Sequence, residues 1–458
     1  MSPLDESCDV VVVGGGLAGL SAAEQIGRLS DLRVVVLEAQ ERLGGRVFSE
    51  AAEGGWLNFG AHVLPGPDSA LGQFITSLGV PITPIPGSLM GVAYRDRLLY
   101  SGPPALYPLR LNISLSSRLA IVGWGARTWL DLRRARHAGA GTPSNPLLAR
   151  GGILDADETY ASRLTGLPRD ALRIVEAAAM RSGGDPGQLT VGAARDQFAM
   201  TFSGRRSLLA NGIVGGTSRI IDALVPRCRA QVRRGRAVQA IWHDPATGRL
   251  FVQCANGERL STRQVILATR ADDIARIDTE LPEDIRERLG RIPYGPYTVA
   301  AFVTAPIRTF APDLYALVVA DPNGPNMAFH LSNLLGESAG HEHVQSFTVY
   351  ASARRAREID HLDDAAVLRT FTATVDRYLP GFAASVQRAE VRRWPAGLPI
   401  LDRPAARALS GLSAAQGDVT LAGDYLSGSG GLEAAFASGR AAADRVLGLL
   451  RGSGDPYG

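Results

Sequence analysis

The sequence predicts an α/β protein: a parallel sheet flanked by helices, joined to a second, α+β unit built from insertions in the chain. Three observations predict it. A run of β-branched residues at 9–13 leads into a glycine-rich turn, a helical stretch and a second apolar strand. A strand-like stretch at 230–269 stands apart from the helical stretches around it. A short apolar run at 419–422 precedes a glycine pair and a final helical stretch. Apolar runs this short, without alternation, suit strands buried on both faces.

The elements follow in order. Residues 9–13 read as a strand, 20–29 as a helix with Leu20, Ala23 and Ile26 on one face, and 32–37 as a strand ending at Glu38. Residues 112–136 read as an amphipathic helix with a basic end, 138–146 as a loop, and 158–181 as one helix ending at Gly183-Gly184. Gly215-Gly216 opens a helix at 218–224. Strands follow at 237–242, 250–254 and 264–268, with Asn256-Gly257 as a hairpin turn. Further strands are expected at 293–304 and 344–352, a helix at 364–379, a strand at 419–422 and a last helix at 430–450.

The bulk composition bounds the function. The 458 residues are 45% apolar and 20% charged, enough for a large core and two or three structural units. A net charge of +3 over this length gives no reason to expect a nucleic-acid partner. There is no apolar run long enough to span a bilayer, no secretory signal pattern at the start and no apolar tail at the end, so a soluble cytoplasmic protein is expected. All 48 basic residues are arginine, so no lysine can form a Schiff base or act as an ammonium base. Cys8, Cys228 and Cys254 lie far apart and give neither a disulfide framework nor a zinc pattern. No metal site is expected; His341 and His343 sit in a polar stretch without a supporting cluster.

The first unit carries the clearest chemistry. Gly14, Gly16 and Gly19 form GxGxxG between a strand and a helix. The first glycine permits a tight turn, the second a close approach of backbone to a pyrophosphate, and the third close packing of helix on strand. Leu17 and Ala18 open the helix, whose N–H groups and dipole favour phosphate. Glu38, 19 residues after Gly19, suits a ribose. Ala39, Arg42, Gly44, Gly45 and Arg46 follow it directly. A second glycine pair with an arginine suits a long, extended dinucleotide whose charge Arg46 offsets, which favours FAD over NAD.

With these residues, the chain resembles the flavoprotein superfamily of monoamine oxidases, protoporphyrinogen oxidases and phytoene-type desaturases. The matching stretches are 11–20, 36–39, 42–46, 208–224, 238–241, 265–269 (which includes Ala268) and 421–439, in family order. The resemblance implies a Rossmann-like FAD-binding domain from 1–80, 208–290 and 395–458, and a substrate-binding domain from 81–207 and 291–394. It implies that Glu38 holds the adenosine ribose, that Arg46 faces the phosphate or flavin part, and that Val238 meets the adenine side. Gly423 and Asp424 would lie by the pyrophosphate or ribityl chain. Gly430, Gly431 and Leu432 would start a helix aimed at the flavin pyrimidine edge. Gly60, Ala61 and His62 would run beside the isoalloxazine.

Four departures qualify the likeness. The monoamine oxidases place a lysine near flavin N5, and this chain has none. Where many of them place a cage aromatic, this chain has Gly431. No cysteine lies near Trp394 or Gly431, so the flavin is expected to be non-covalent. Asn58 stands where relatives carry an acid, while 182–189 is more like the protoporphyrinogen oxidase and desaturase branch.

The candidate catalytic residues are His62, Tyr294 and Trp394. His62 either takes a proton or hydrogen-bonds substrate, or is a structural turn histidine. Tyr294 and Tyr297 either stack on a flat substrate or pack as cavity wall. Trp394 either touches flavin or packs in the core, and His330 reads as a core histidine. The expected reaction is hydride transfer from a substrate C–N bond to flavin N5, giving an imine, with oxygen as electron acceptor and a secondary-metabolic setting. C–C desaturation or porphyrinogen oxidation of an apolar or flat substrate is the alternative, and a non-redox or isomerising flavoprotein is the alternative from another class. Membrane contact is not expected, since 112–132 reads as a packed cavity-wall helix; under the desaturase or porphyrinogen alternative its apolar face, flanked by arginines, would instead touch a membrane surface. A homodimer is compatible.

Overall fold

A computed structural model describes residues 6–85, 91–102, 106–138, 157–194, 198, 211–307, 314–335, 344–410, 412–427 and 430–452. Residues 208–210 of the 208–224 motif, the loop read at 139–146, and His341 and His343 lie outside the described residues. The architecture is mixed α/β, as expected from sequence.

The nucleotide-type strands form one six-stranded sheet. Its spatial order is Gln231–Arg233, Val34–Leu37, Val10–Val13, Gln264–Leu267, Val419–Leu421, Ala415–Gln416. The first five strands are parallel and the last is antiparallel. Val10–Val13, Val34–Leu37 and Gln264–Leu267 are buried throughout, which is why their sequences show no alternation. Helices Leu17–Leu29 and Leu432–Gly452 pack together on this sheet. Their close approach depends on glycine: a Cβ on Gly439 would lie 2.1 Å from the Ala18 carbonyl oxygen.

A five-stranded sheet contains Leu250–Cys254 paired antiparallel with Arg259–Thr262. Gly257, at φ +86, turns the chain between them, as the Asn256-Gly257 pair predicts. The strand Arg259–Thr262 itself, the hairpin Ser49–Ala52 with Gly55–Asn58, and the helix Glu283–Gly290 are additions to the sequence reading.

A seven-stranded sheet runs Val386–Pro399, Tyr294–Thr304, Gln345–Ser352, Met327–His330, Ala316–Val319, Gly91–Tyr94, Arg97–Leu99. Pro395 does not break the first of these. That strand is at the sheet edge, where a missing N–H is tolerated. The register against its neighbour also shifts there, between Gly295 and Tyr297.

Two expectations are corrected. The single helix read at 158–181 is two helices, Ala161–Leu164 and Arg169–Ala179, followed by a 3₁₀ turn. Gly166 at φ +81 and Pro168 interrupt it. The helix read as amphipathic, Leu115–Ala138, buries Ser117, Ile121, Thr128 and Leu132 but carries apolar residues on its opposite face as well. Among the described residues, no helix is long and apolar enough to cross a membrane.

The Gly439 approach gives a test. Replacing Gly439 by alanine forces the two helices apart and is expected to destabilise by about 1–3 kcal/mol. Gly448→Ala on the same helix meets nothing within 4 Å. It is expected to be neutral or stabilising by up to about 1 kcal/mol. Thermal unfolding of the two variants checks the contrast.

Candidate active site

The glycine turn is built as its spacing requires. Gly14 adopts φ +110, and a Cβ there would lie 2.8 Å from the Ala268 carbonyl oxygen. A Cβ on Gly19 would lie 2.0 Å from the Gly14 carbonyl oxygen. Gly16 differs: a Cβ there would meet nothing within 4 Å, so this position faces open space. The helix Leu17–Leu29 has no side-chain cap and no acid in its first turn. Its leading N–H groups are therefore directed at that space with their dipole uncompensated. Glu38 closes the turn, its carboxylate accepting from the N–H of Gly15 at 2.7 Å and of Gln40 at 2.9 Å. Gly44 donates its N–H to the Gly15 carbonyl at 2.8 Å, so the second glycine pair lies against the first. This open cradle beside a helix N-terminus, with a carboxylate at the strand end, fits an extended dinucleotide.

Arg46 and Asp424 meet each other. Arg46 Nη2 donates to Asp424 Oδ1 at 2.7 Å and Nη1 to Oδ2 at 2.9 Å, in a two-pronged pair spanning 378 positions. Nη1 also donates to the Gly397 carbonyl at 2.8 Å. Burial acts to lower the pKa of Arg46, but the charge and hydrogen bonds of Asp424 outweigh it, and the net shift is upward. Asp424 Oδ2 further accepts the Gly431 N–H at 3.3 Å. The same carboxylate thus ties Arg46 to the turn Gly430-Gly431, whose φ values are +64 and +91. A Cβ on Gly431 would meet nothing within 4 Å. Gly423 N–H donates to Ser438 Oγ at 2.9 Å, fixing the preceding bend.

Arg42 is bonded within its own turn. It donates to the carbonyls of Leu43 at 2.9 Å and Gly45 at 2.6 Å, and its guanidinium lies 4.2 Å from the Phe48 ring centroid. It braces the second glycine turn from behind. Burial lowers its pKa.

His62 sits among neutral groups. Its Nδ1 lies 3.1 Å from the Gly60 carbonyl oxygen, which also accepts from Asn58 Nδ2 at 2.9 Å. Nδ1 also lies 3.3 Å from Asn58 Nδ2; the shorter contact, to a carbonyl that can only accept, favours the proton on Nδ1 and leaves Nε2 as the acceptor. Nε2 is hidden from solvent and has no partner. The imidazole packs edge-on against Phe329, with centroids 4.5 Å apart. Phe329 stacks on Tyr350, which packs on Tyr297. Burial pushes the His62 pKa down to about 4, the Gly60 hydrogen bond opposing it. Asn58 is fully buried; its side chain holds Gly60, and its backbone carbonyl accepts from Thr348 Oγ1 at 2.8 Å. An acid at 58 would be a buried charge, and the amide avoids that cost.

The other candidates are structurally engaged. Tyr294 Oη accepts the Ala271 N–H at 3.0 Å, and burial and the Asp424 charge raise its pKa. Tyr297 Oη donates to the Arg181 carbonyl at 2.6 Å. Trp394 Nε1 donates to the Phe59 carbonyl at 2.8 Å, tying the edge strand to the segment that carries His62. Gly60 has its N–H on the Phe48 carbonyl, and Ala61 donates to Arg46, so this segment lies against the arginine motif. Ala39 follows Glu38 at the strand end, while Val238 opens the strand Val238–His243. His330 stacks on Phe347 with centroids 4.4 Å apart, and burial lowers its pKa to about 3. Sequence reasoning passed over Phe329, Tyr350 and Ser438. Phe329 and Tyr350 could have been found by alternation, being cross-strand neighbours on the face of the sheet nearest His62.

A family model described as flavin containing amine oxidoreductase matches residues 17–447. The flavin-dependent L-tryptophan oxidase RebO of Lentzea aerocolonigenes is 27% identical over 286 residues, 55% of each chain. The chain thus matches about half the length of that relative, and 10–16% of the other curated relatives. A putrescine oxidase bound to putrescine has the same fold, with a TM-score of 0.75 at 17% identity over 96% of this chain and 99% of that one. Cyclohexylamine oxidase from Brevibacterium oxydans IH-35A gives a TM-score of 0.76 at 17% identity, covering 97% and 99%.

Two outcomes follow from this geometry. Asp424→Leu leaves the part-exposed guanidinium of Arg46 without its carboxylate and is expected to cost about 1–3 kcal/mol, whereas Arg46→Met with Asp424→Leu recovers part of that loss. Urea unfolding checks both. His62 is neutral when folded below its ordinary pKa of about 6.5. As pH falls from about 6.5 to 4, the unfolded chain takes up a proton that the folded chain refuses, and stability drops. His62→Asn is expected to make the urea midpoint less sensitive to pH over that interval.

Proposed function

The chain belongs to the flavin-containing amine oxidoreductase family and is an FAD-dependent oxidoreductase, and we propose that it oxidises a C–N bond of a small amine or amino acid to the imine. The observation that carries the reading is the neutral, buried imidazole of His62, whose Nε2 has no partner.

The chain's residues divide the work. Gly14, Gly16, Gly19 and the helix behind them hold the pyrophosphate, and Glu38 holds the adenosine ribose. The turn Gly430-Gly431 and the helix N-terminus at Leu432 stand at the flavin's pyrimidine edge. When bound, FAD supplies the two-electron acceptor for the hydride that leaves the substrate carbon. With a pKa of about 4, His62 cannot store a proton at neutral pH. It acts as an acceptor for a substrate N–H and so orients a neutral amine. A polyene hydrocarbon offers no N–H, and would leave Nε2 buried and unmet at a cost of about 1–3 kcal/mol. Phe329, Tyr350 and Tyr297 supply flat walls for an aromatic or alicyclic substituent. The likeness to proteins named as oxidases of L-tryptophan, putrescine and cyclohexylamine supports the amine class. The electron acceptor in this reading is oxygen.

Anaerobic mixing tests the proposal. Cyclohexylamine or an aromatic L-amino acid is expected to bleach the flavin's visible absorption, and an apolar polyene is not. Bleaching by the polyene with none by any amine overturns the reading. His62→Ala is expected to slow flavin reduction about tenfold at unchanged FAD content, with partial rescue by His62→Gln; an unchanged rate removes His62 from the reaction.

A further inference from the structure

The helix Leu115–Ala138 has two apolar faces. At 100° per residue, its buried residues Ser117, Ile121, Thr128 and Leu132 lie along one side. Leu115, Leu119, Val122, Trp129 and Leu130 fall within an arc of about 100° on the other side. These five are exposed, Leu115 by 71% and Leu119 by 65%. The preceding turn adds Leu106 and Leu109, the latter 57% exposed. Of the nine exposed large apolar side chains among the described residues, seven therefore belong to this one segment. A concentration of this kind on a protein surface marks an interaction site.

The flanks identify the partner. Arg118 borders the stripe on one side, and Arg127 and Arg134 on the other. Arg133 lies over Trp129 at 4.7 Å from the ring centroid. Residues 106–134 hold five arginines and one aspartate, a net of +4. The whole chain nets +3, so everything else together nets −1. A second copy of the chain meeting this face through a twofold axis would bring +4 against +4. An acidic, apolar-cored plane answers both features at once. From Leu115 to Leu130 the stripe is about 22 Å long at 1.5 Å per residue, shorter than the roughly 30 Å hydrocarbon core of a bilayer. A tryptophan capped by an arginine suits the headgroup level.

We propose that this face docks on an anionic lipid surface, with the Leu115–Leu130 stripe in the acyl boundary and the arginines on the headgroups. The proposal is independent of the amine reading, since it uses no residue of the flavin site. It assigns to this helix a role beyond packing as a cavity wall.

Flotation of the FAD-loaded full chain tests it, with vesicles of phosphatidylcholine alone or with phosphatidylglycerol. The protein is expected to float with the anionic vesicles and to be released by high salt. Leu115→Asp with Leu119→Asp is expected to weaken binding by at least about tenfold, and Arg127→Gln by about fivefold. Both sets of side chains are on the surface, so FAD content and circular dichroism are expected to be unchanged. The proposal falls if the wild-type protein stays unbound with anionic vesicles, or if the double aspartate variant floats like wild type. It also falls if the face instead mediates self-association, seen as a concentration-dependent dimer that the double variant abolishes without any lipid binding.

Discussion

The pair between the part-exposed Arg46 and the buried Asp424 is the constraint from which the rest of the candidate site follows. One member comes from the first fifty residues and the other from the last forty. Asp424 is buried, and without Arg46 its charge would be desolvated without compensation. The pair therefore forms only when strands distant in sequence have taken their places in one sheet. Asp424 then holds the Gly431 N–H, and Arg46 holds the Gly397 carbonyl, so three segments are fixed by two side chains.

On the other side of the His62 segment, the electrostatics invert. The groups about His62 are neutral: an amide, backbone carbonyls and aromatic rings. Burial without a nearby carboxylate holds the imidazole uncharged. Such surroundings disfavour any charged group beside the imidazole. The absence of lysine from the chain is consistent with this division. The cationic groups near the site are guanidiniums, which bind carboxylates and carbonyls through fixed forks and do not give up their protons.

The legible parts of the sequence were those set by local backbone demands. Gly14, Gly19 and Glu38 could be placed from spacing alone, because a tight turn, a close helix crossing and a strand end each admit few residue types. The partnership of Arg46 with Asp424 was not legible, although both residues had been singled out, because nothing in local pattern couples positions 378 apart. The bonds of Arg42 were not legible for a related reason: the sequence shows a charge beside a glycine pair but not the carbonyls that curl round to meet it. The break at Gly166 and Pro168 was legible in principle and was overridden by the apolar residues on either side.

The helix Leu115–Ala138 shows how periodicity can conceal a feature. A single apolar stripe opposite a polar one announces itself as amphipathic. Two opposed apolar stripes, separated by narrow arginine-bearing flanks, partly cancel in any such measure and read as a helix of indifferent character. Only burial separates them: one stripe contacts the protein and the other does not. A wall helix needs only the first. Retaining leucines, a valine and a tryptophan at seven solvent-facing positions of 106–130 works against solubility and contributes nothing to the core, and the arginines that border them do not relieve that exposure. The segment's composition is accounted for by a second surface that covers those side chains and meets their flanking charge, a demand from outside the fold rather than from within it.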